Sequence, residues 1–322
     1  MIILNEIFFL VFAFLTVFLS IKLSYYADSL SKYSNVSKAL IGGIVLAGVT
    51  SLPEFVTSFS ALLVGNPLLA MGDVLGSNIF NIFMVCFFDL IFMKKMIFTK
   101  TAKSHNLVIL FLIINYIVLY FFVSKMISIS IFSIGIPTLV IIISYILYLK
   151  SASKGLEEEK VIINDRVSSK NLTIKLIVTA FFMVISSVLL TIIVNNLSIK
   201  YPSFSSSFLG AIFLGITTSL PEVVTFYTLI CIKSYDLALS NILGSNLFNL
   251  LVLAVCDVVS FGSSLYTFSD KDTAFIVFLG LIFSLVCFLL NMRKQVKNKW
   301  SYSFLSFLVV LIYLGFWLSK FL

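Results

Sequence analysis

The chain has 322 residues, 60% of them hydrophobic and 11% charged, with a mean hydropathy of +1.14. Such a composition excludes a water-soluble domain, because apolar runs of about 20 residues, long enough to cross a bilayer, recur along the whole length. A formal charge of +8 raises the question of a nucleic-acid partner, which the placement of the basic residues answers below.

In chain order the predicted elements are ten apolar helices, at about 4–24, 36–64, 67–92, 105–123, 127–149, 172–195, 205–231, 235–261, 272–291 and 301–320. The first lacks a basic leader and a clear small-residue cleavage site, so it reads as a helix rather than a signal peptide. The second contains TSLPE (50–54) and the third GSN (76–78). His105, the sole histidine, falls in a lysine-rich connection and reads as a solvated loop residue. The hydrophilic stretch 150–171 between the fifth and sixth helices reads as a linker. Its Glu157, Glu158 and Glu159 are taken as solvated rather than as an ion-sensing patch. The seventh helix repeats TSLPE (218–222) and the eighth repeats GSN (244–246). Cys86, Cys231, Cys256 and Cys287 lie in apolar runs at no metal-ligand spacing and read as small core residues.

Alternate connections carry 18 of the 22 Lys and Arg residues, against 4 on the opposite side. By the positive-inside rule this places the basic loops and the linker in the cytoplasm and both termini outside it. The basic excess therefore records topology, and no nucleic-acid partner is expected.

Residues 42–89 align without gaps on 210–257, with 19 of 48 positions identical, including TSLPE, GSN, Phe80/Phe248, Asn81/Asn249 and Asp89/Asp257. Matched Pro, Glu, Gly, Ser and Asn mark an internal duplication rather than chance similarity of apolar segments. Each copy covers the second and third helix of a five-helix half. Five is odd, so the second half enters the membrane from the opposite side. The expected fold is an all-α integral membrane protein of ten transmembrane helices in two inverted five-helix repeats. Its parts are residues 1–149 with a first repeat at about 42–89, the cytoplasmic linker 150–171, and residues 172–322 with a second repeat at about 210–257.

A carboxylate and a helix-breaking proline are both costly in hydrocarbon. Pro53 removes an N–H and loosens the turn at Val49 and Thr50; Pro221 does the same at Thr217 and Thr218. Freed carbonyls at bilayer depth persist only where protein, water or an ion satisfies them. Thr50 and Ser51 lie one turn from Glu54, as Thr218 and Ser219 do from Glu222, so hydroxyls, carbonyls and carboxylate share a face. Ser77 and Asn81 share a face of the next helix, as do Ser245 and Asn249, while Gly76 and Gly244 permit close helix approach. Brought together, these groups form an all-oxygen cage without Cys or His, suited to hard cations such as Ca²⁺ and Na⁺.

The stretches GGIVLAGVTSLPEFVTSFSALL…GDVLGSNIFN and GAIFLGITTSLPEVVTFYTLI…SNILGSNLFN resemble the two α-repeats of the calcium/cation antiporter superfamily, in particular the prokaryotic sodium/calcium exchangers. The resemblance covers nearly a third of the chain directly. It implies Ca²⁺ extrusion driven by Na⁺ entry through alternating access, with ions bound between helices 2, 3, 7 and 8. Carried over, the ligands are Thr50, Ser51, Glu54, Ser77 and Asn81, with Thr218, Ser219, Glu222 and Ser245. Helices 1 and 6 become the expected movers.

Two positions depart from the pattern. Many members have aspartate where this chain has Asn249, and Asp73 stands where Asn is usual, while its counterpart Asn241 keeps that residue. Asp73 either contributes a further ligand oxygen, one turn from Ser77, or faces a water-filled vestibule. Asp89 and Asp257, at helix C-termini, are expected to face water or pair with lysine. The runner-up is a Ca²⁺/H⁺ exchanger using the same glutamates, since desolvated carboxyls can carry protons. An intramembrane aspartyl protease built on Asp73 and Asp236 has the motifs in reversed order and leaves TSLPE unexplained. The expected protein is thus a secondary transporter and not an enzyme, a monomer in the cell membrane with small cations and lipid as partners and no cofactor.

Overall fold

The computed structural model describes residues 2–33, 40–127, 129–131, 134–154, 169–198, 206–260, 263–293 and 298–319. The linker expectation at 150–171 therefore falls largely outside the described residues, as do Glu157, Glu158 and Glu159. The described residues are almost wholly helical: α1 (Ile2–Tyr33), α2 (Ile41–Thr50), α3 (Leu52–Leu63), α4 (Pro67–Ile91), α5 (His105–Val123), α6 (Ile136–Lys154), α7 (Ser169–Ser198), α8 (Gly210–Thr218), α9 (Leu220–Cys231), α10 (Tyr235–Val259), α11 (Lys271–Met292) and α12 (Lys299–Leu318). Among them α1, α4, α5, α7, α10, α11 and α12 are each long and apolar enough to cross a membrane. The pairs α2–α3 and α8–α9 reach that length only when each is taken as one bent span, and α6 supplies a shorter apolar helix at Ile136–Ala152. The chain is an all-α integral membrane protein.

Local chemistry sets the helix starts. Asn66 accepts a bond from Leu69 N at 3.1 Å in front of Pro67, whose missing N–H costs nothing in a first turn. Asp270 likewise accepts from Thr273 N at 2.8 Å at the head of α11. The segment 127–149, expected as one helix, is different: Ser130–Ile131 (β1) and Ile134–Gly135 (β2) form a short antiparallel hairpin, and α6 begins only at Ile136. Pro137 fits this start, because it sits in the first helical turn, where its missing N–H needs no partner.

The 25-residue helices α4 and α10 occupy the centre. In their apolar windows 61% and 72% of residues are buried, against 28% for both α1 and α7. Small residues permit the central packing. A Cβ on Gly76 would collide with Ala211 of α8, and one on Gly244 would collide with the backbone of Gly43 in α2. Positions 43 and 211, like 76 and 244, are equivalent under the 168-residue offset between the copies. At the periphery α1 lies along α7, joined where the Thr16 and Ser186 hydroxyls meet at 2.9 Å and Ser186 Oγ also donates to Phe12 O at 3.0 Å.

Candidate functional site: a crossed-carboxylate cage

The site begins with two breaks in the backbone. Helix α2 stops at Thr50, Ser51 leaves helical geometry (φ −92°, ψ 7°), and α3 restarts at Leu52 with Pro53 in its first turn. The arms meet at 45°. Ser219 (φ −79°, ψ 5°) and Pro221 repeat the device between α8 and α9, bent by 49°. Each break places its glutamate in the first turn of a half-helix inside the membrane, where unpaired N–H groups favour negative charge. A π-helical turn, Ile41–Leu46 or Gly210–Leu214, precedes each break. Residue patterns gave no sign of these turns.

Glu54 and Glu222 are both 0% exposed, and each is held by the other copy. Ser51 Oγ donates to Glu222 Oε1 at 2.9 Å, and Ser219 Oγ donates to Glu54 Oε1 at 3.1 Å. Ser245 Oγ reaches Glu222 Oε1 at 3.5 Å. Around them Thr50 and Ser245 hydroxyls approach to 3.4 Å, matched by Ser77 and Thr218 at 3.3 Å. Ser77 Oγ also donates to Gly215 O at 3.2 Å. The second carboxylate oxygen, Oε2, of both glutamates is buried without a hydrogen-bond partner. Among the described residues neither glutamate is ion-paired with a lysine or arginine. A buried carboxyl in that position calls for a bound cation or a proton.

Asn81 and Asn249 lie at the crossing of α4 and α10. Asn81 Nδ2 donates to Asn246 Oδ1 at 2.9 Å and Asn249 Nδ2 donates to Asn78 Oδ1 at 3.1 Å. Their own Oδ1 atoms are buried and unpartnered. Asn78 and Asn246 carry no sequence signal of this role beyond belonging to the duplicated GSN.

Asp73 shows where the two copies diverge. Ser58 Oγ donates to its Oδ2 at 2.8 Å and Thr218 Oγ1 to its Oδ1 at 3.3 Å. Asn241 occupies the equivalent position, but Phe226 stands where Ser58 would be, and both Asn241 amide atoms are buried without partners. Of the two surroundings expected for Asp73, a ligand position or a water-filled vestibule, its 0% exposure does not match the vestibule in this conformation. Among the described residues no group of three or more His, Cys, Asp or Glu is arranged to hold a metal. Any ion here would depend on two carboxylates and neutral oxygens.

Several other polar residues serve elsewhere. Among the described residues, Asp89 and Asp257 neither face water nor pair with lysine. Asp89 accepts from Tyr302 Oη (2.6 Å) and Ser306 Oγ (2.7 Å) of α12. Asp257 Oδ1 accepts from Ser264 Oγ and Leu265 N, each at 2.7 Å, and Oδ2 from Thr138 Oγ1 at 2.6 Å and Gly135 N at 2.9 Å. Hydroxyls and main-chain N–H groups reach these buried acids where charged lysines would have to be desolvated. His105 is buried rather than solvated, with Nε2 3.2 Å from Asp236 Oδ1, and it opens α5. Asp236 also accepts from Ala102 N at 2.6 Å, so Asp236 and Asp73 serve separate partners and form no protease pair. Cys86, Cys256 and Cys287 are buried as expected, but Cys231, at the end of α9, is exposed.

Comparison with known proteins agrees with this arrangement. The family model described as sodium/calcium exchanger protein matches residues 6–152 and 171–321. The inner membrane protein YrbG of Escherichia coli (strain K12) is 24% identical over 286 residues, covering 85% of each chain. A membrane protein of Methanocaldococcus jannaschii is 27% identical over 227 residues, covering 69% of this chain and 70% of its own. A solved structure of the sodium-calcium exchanger NCX_Mj, soaked with Na⁺ and Sr²⁺, shares the fold with a TM-score of 0.72 at 23% identity, covering 98% of this chain and 99% of that one. A second structure of the same exchanger, soaked without Na⁺ and Ca²⁺, gives 0.69 at 22%. The chain belongs to the sodium/calcium exchanger protein family, as a multi-pass cation antiporter of the cell membrane.

Proposed function

We propose that the protein exchanges Ca²⁺ for Na⁺ by alternating access, with Glu54 and Glu222 as the shared ligands. The crossed bonding of the glutamates carries this reading: each Oε1 is fixed by a serine of the other copy and each Oε2 is left open. Thr50, Ser51, Ser77, Asn81, Thr218, Ser219, Ser245 and Asn249 complete the oxygen set, and Ca²⁺ takes six to eight such ligands. A hydroxyl that donates its proton to a carboxylate keeps its lone pairs for a cation, so the same serines can orient the acids and coordinate the ion. Two carboxylates balance one Ca²⁺ or two monovalent ions. Competition for them enforces exchange, and a neutralised cage is the form that rearranges at least cost.

The same reading takes the chain as ten spans in two inverted halves, 1–149 and 172–322, joined by a cytoplasmic linker, with both termini extracytoplasmic. The seven long helices, two bent pairs and short α6 supply ten candidates. The recurrence of site contacts at a 168-residue offset supports the duplication, and the basic-loop asymmetry supports the orientation. Helices α1 and α7 are the proposed movers, being peripheral and joined to each other. The site is complete within one chain, and the protein is read as acting as a monomer.

Exchange of Ca²⁺ for H⁺ is the second reading. Asn249 favours it by offering an amide where exchangers of this kind often carry an acid. Ca²⁺ flux in proteoliposomes under an imposed Na⁺ gradient, and separately under a pH gradient, distinguishes the two. Flux driven by Na⁺ alone supports the first, and flux driven by protons alone replaces it with the second.

A further inference from the structure

The four asparagines at the α4–α10 crossing do more than join two helices. Asn78 Nδ2 donates to the main-chain carbonyl of Asn246 at 3.0 Å, and Asn246 Nδ2 donates to the carbonyl of Asn78 at 3.1 Å. A carbonyl can only accept, so these two bonds fix which end of each amide is nitrogen. With nitrogen committed to the carbonyl, Asn246 can turn only its oxygen toward Asn81, and Asn78 only its oxygen toward Asn249. An oxygen there demands the Nδ2 of Asn81 or Asn249, at 2.9 and 3.1 Å. The remaining face of Asn81 and of Asn249 must then be oxygen, and both of these Oδ1 atoms are buried and open.

We propose that Asn78 and Asn246 are positioning residues that set the polarity of the ion path, holding the amides of Asn81 and Asn249 with oxygen inward and N–H₂ outward. An amide with its nitrogen inward repels a cation, so the orientation decides whether these positions attract or exclude one. Carboxylate has no such problem, because both ends are oxygen. A chain that places asparagine at both central positions needs a lock that an acid would not. The inference rests on the reading of Asn81 and Asn249 as cation ligands and goes beyond it, since Asn78 and Asn246 spend both ends of their amides on protein partners.

The test is a double-mutant cycle on the full chain in detergent, with Ca²⁺ and Na⁺ affinities measured by calorimetric titration. Asn246→Ala releases Asn81 to flip, and outer partners of metal ligands typically contribute about 10- to 100-fold in affinity; about a tenfold loss or more is expected. In the Asn81→Asp background there is no orientation to lose, and Asn246 Oδ1 faces a carboxylate oxygen, so the same Asn246→Ala change is expected to cost about twofold or less, or to tighten binding. Asn78→Ala, alone and with Asn249→Asp, is the mirror cycle and serves if one alanine variant misfolds. A purely structural role for Asn246 gives equal losses in both backgrounds and overturns the proposal. An Asn246→Ala affinity equal to wild type also overturns it. Wild-type protein that binds neither cation, or an Asn81→Ala variant that binds as wild type does, removes the ligand assignment itself and the proposal with it.

Discussion

The hydroxyl of Ser51 donates to Glu222 across 2.9 Å and 171 positions of sequence. Its counterpart, Ser219 on Glu54 at 3.1 Å, makes the relationship reciprocal. Hydrogen bonds to charged groups contribute about 1.5–3 kcal/mol. Ser51→Ala and Ser219→Ala are each expected to weaken Ca²⁺ half-saturation by about tenfold or more on that basis. The two losses should be similar, and uptake measured in proteoliposomes checks them. A large loss from one serine and none from the other contradicts the reciprocal arrangement.

Glu54→Gln and Glu222→Gln keep the shape of the side chain and remove its charge. Each is expected to abolish Ca²⁺ uptake while the protein still elutes as a single folded species from size-exclusion chromatography. Retained uptake in both variants would falsify the assignment of the glutamates as ion ligands.

Asp73 and Asn241 make a natural contrast, since only Asp73 holds two hydroxyls. Asp73→Asn removes a negative charge bonded to Thr218, and Asn241→Asp adds one a turn from Ser245. Ca²⁺ binding is expected to weaken in the first variant and tighten in the second, by calorimetric titration. No change in either places Asp73 outside the ion's field.

The helix crossings should tolerate no added bulk. A Cβ at Gly244 meets the backbone of Gly43, which cannot turn aside as a flexible side chain could, whereas Gly315 on α12 has open space around it. Gly244→Ala is expected to lower the thermal unfolding temperature sharply. Gly315→Ala is expected to leave it unchanged or raise it slightly, since alanine in a helix is favoured over glycine by roughly 0.5–1 kcal/mol.

Asp257 collects two hydroxyl and two main-chain donors, whereas Asp89 collects two hydroxyls and the single main-chain N–H of Ile97. Each buried donor left unpaired costs about 1–3 kcal/mol. Asp257→Ala is therefore expected to destabilise the fold more than Asp89→Ala does. Neither should shift cation affinity in the protein that remains folded, which separates these anchors from the cage.

The cage was legible because its parts conflict with their surroundings. Proline, glutamate, threonine and serine inside apolar runs stand out, and their recurrence at a fixed offset removes coincidence. Spacing along a helix could not show that Ser51 serves Glu222 rather than its neighbour Glu54, because the 45° break turns the two arms apart. Asp89 and Asp257 show no partner in the local pattern because Gly135, Thr138, Tyr302 and Ser306 are remote in sequence, while Ser264 and Leu265 lie beyond the end of α10, where helical spacing does not apply. Hydropathy alone extends the helix over 127–135, because it does not distinguish a short apolar strand pair from a helical turn. His105 is buried and meets Asp236, 131 positions away, and no local pattern signals that contact.

The crossed serines also bear on how such a chain can change over generations. Each TSLPE segment owns an acid that it cannot accommodate unaided, and its guardian hydroxyl is encoded in the other segment. A drift in either copy is therefore felt first by its twin, so the two must be inherited, altered and repaired as a pair.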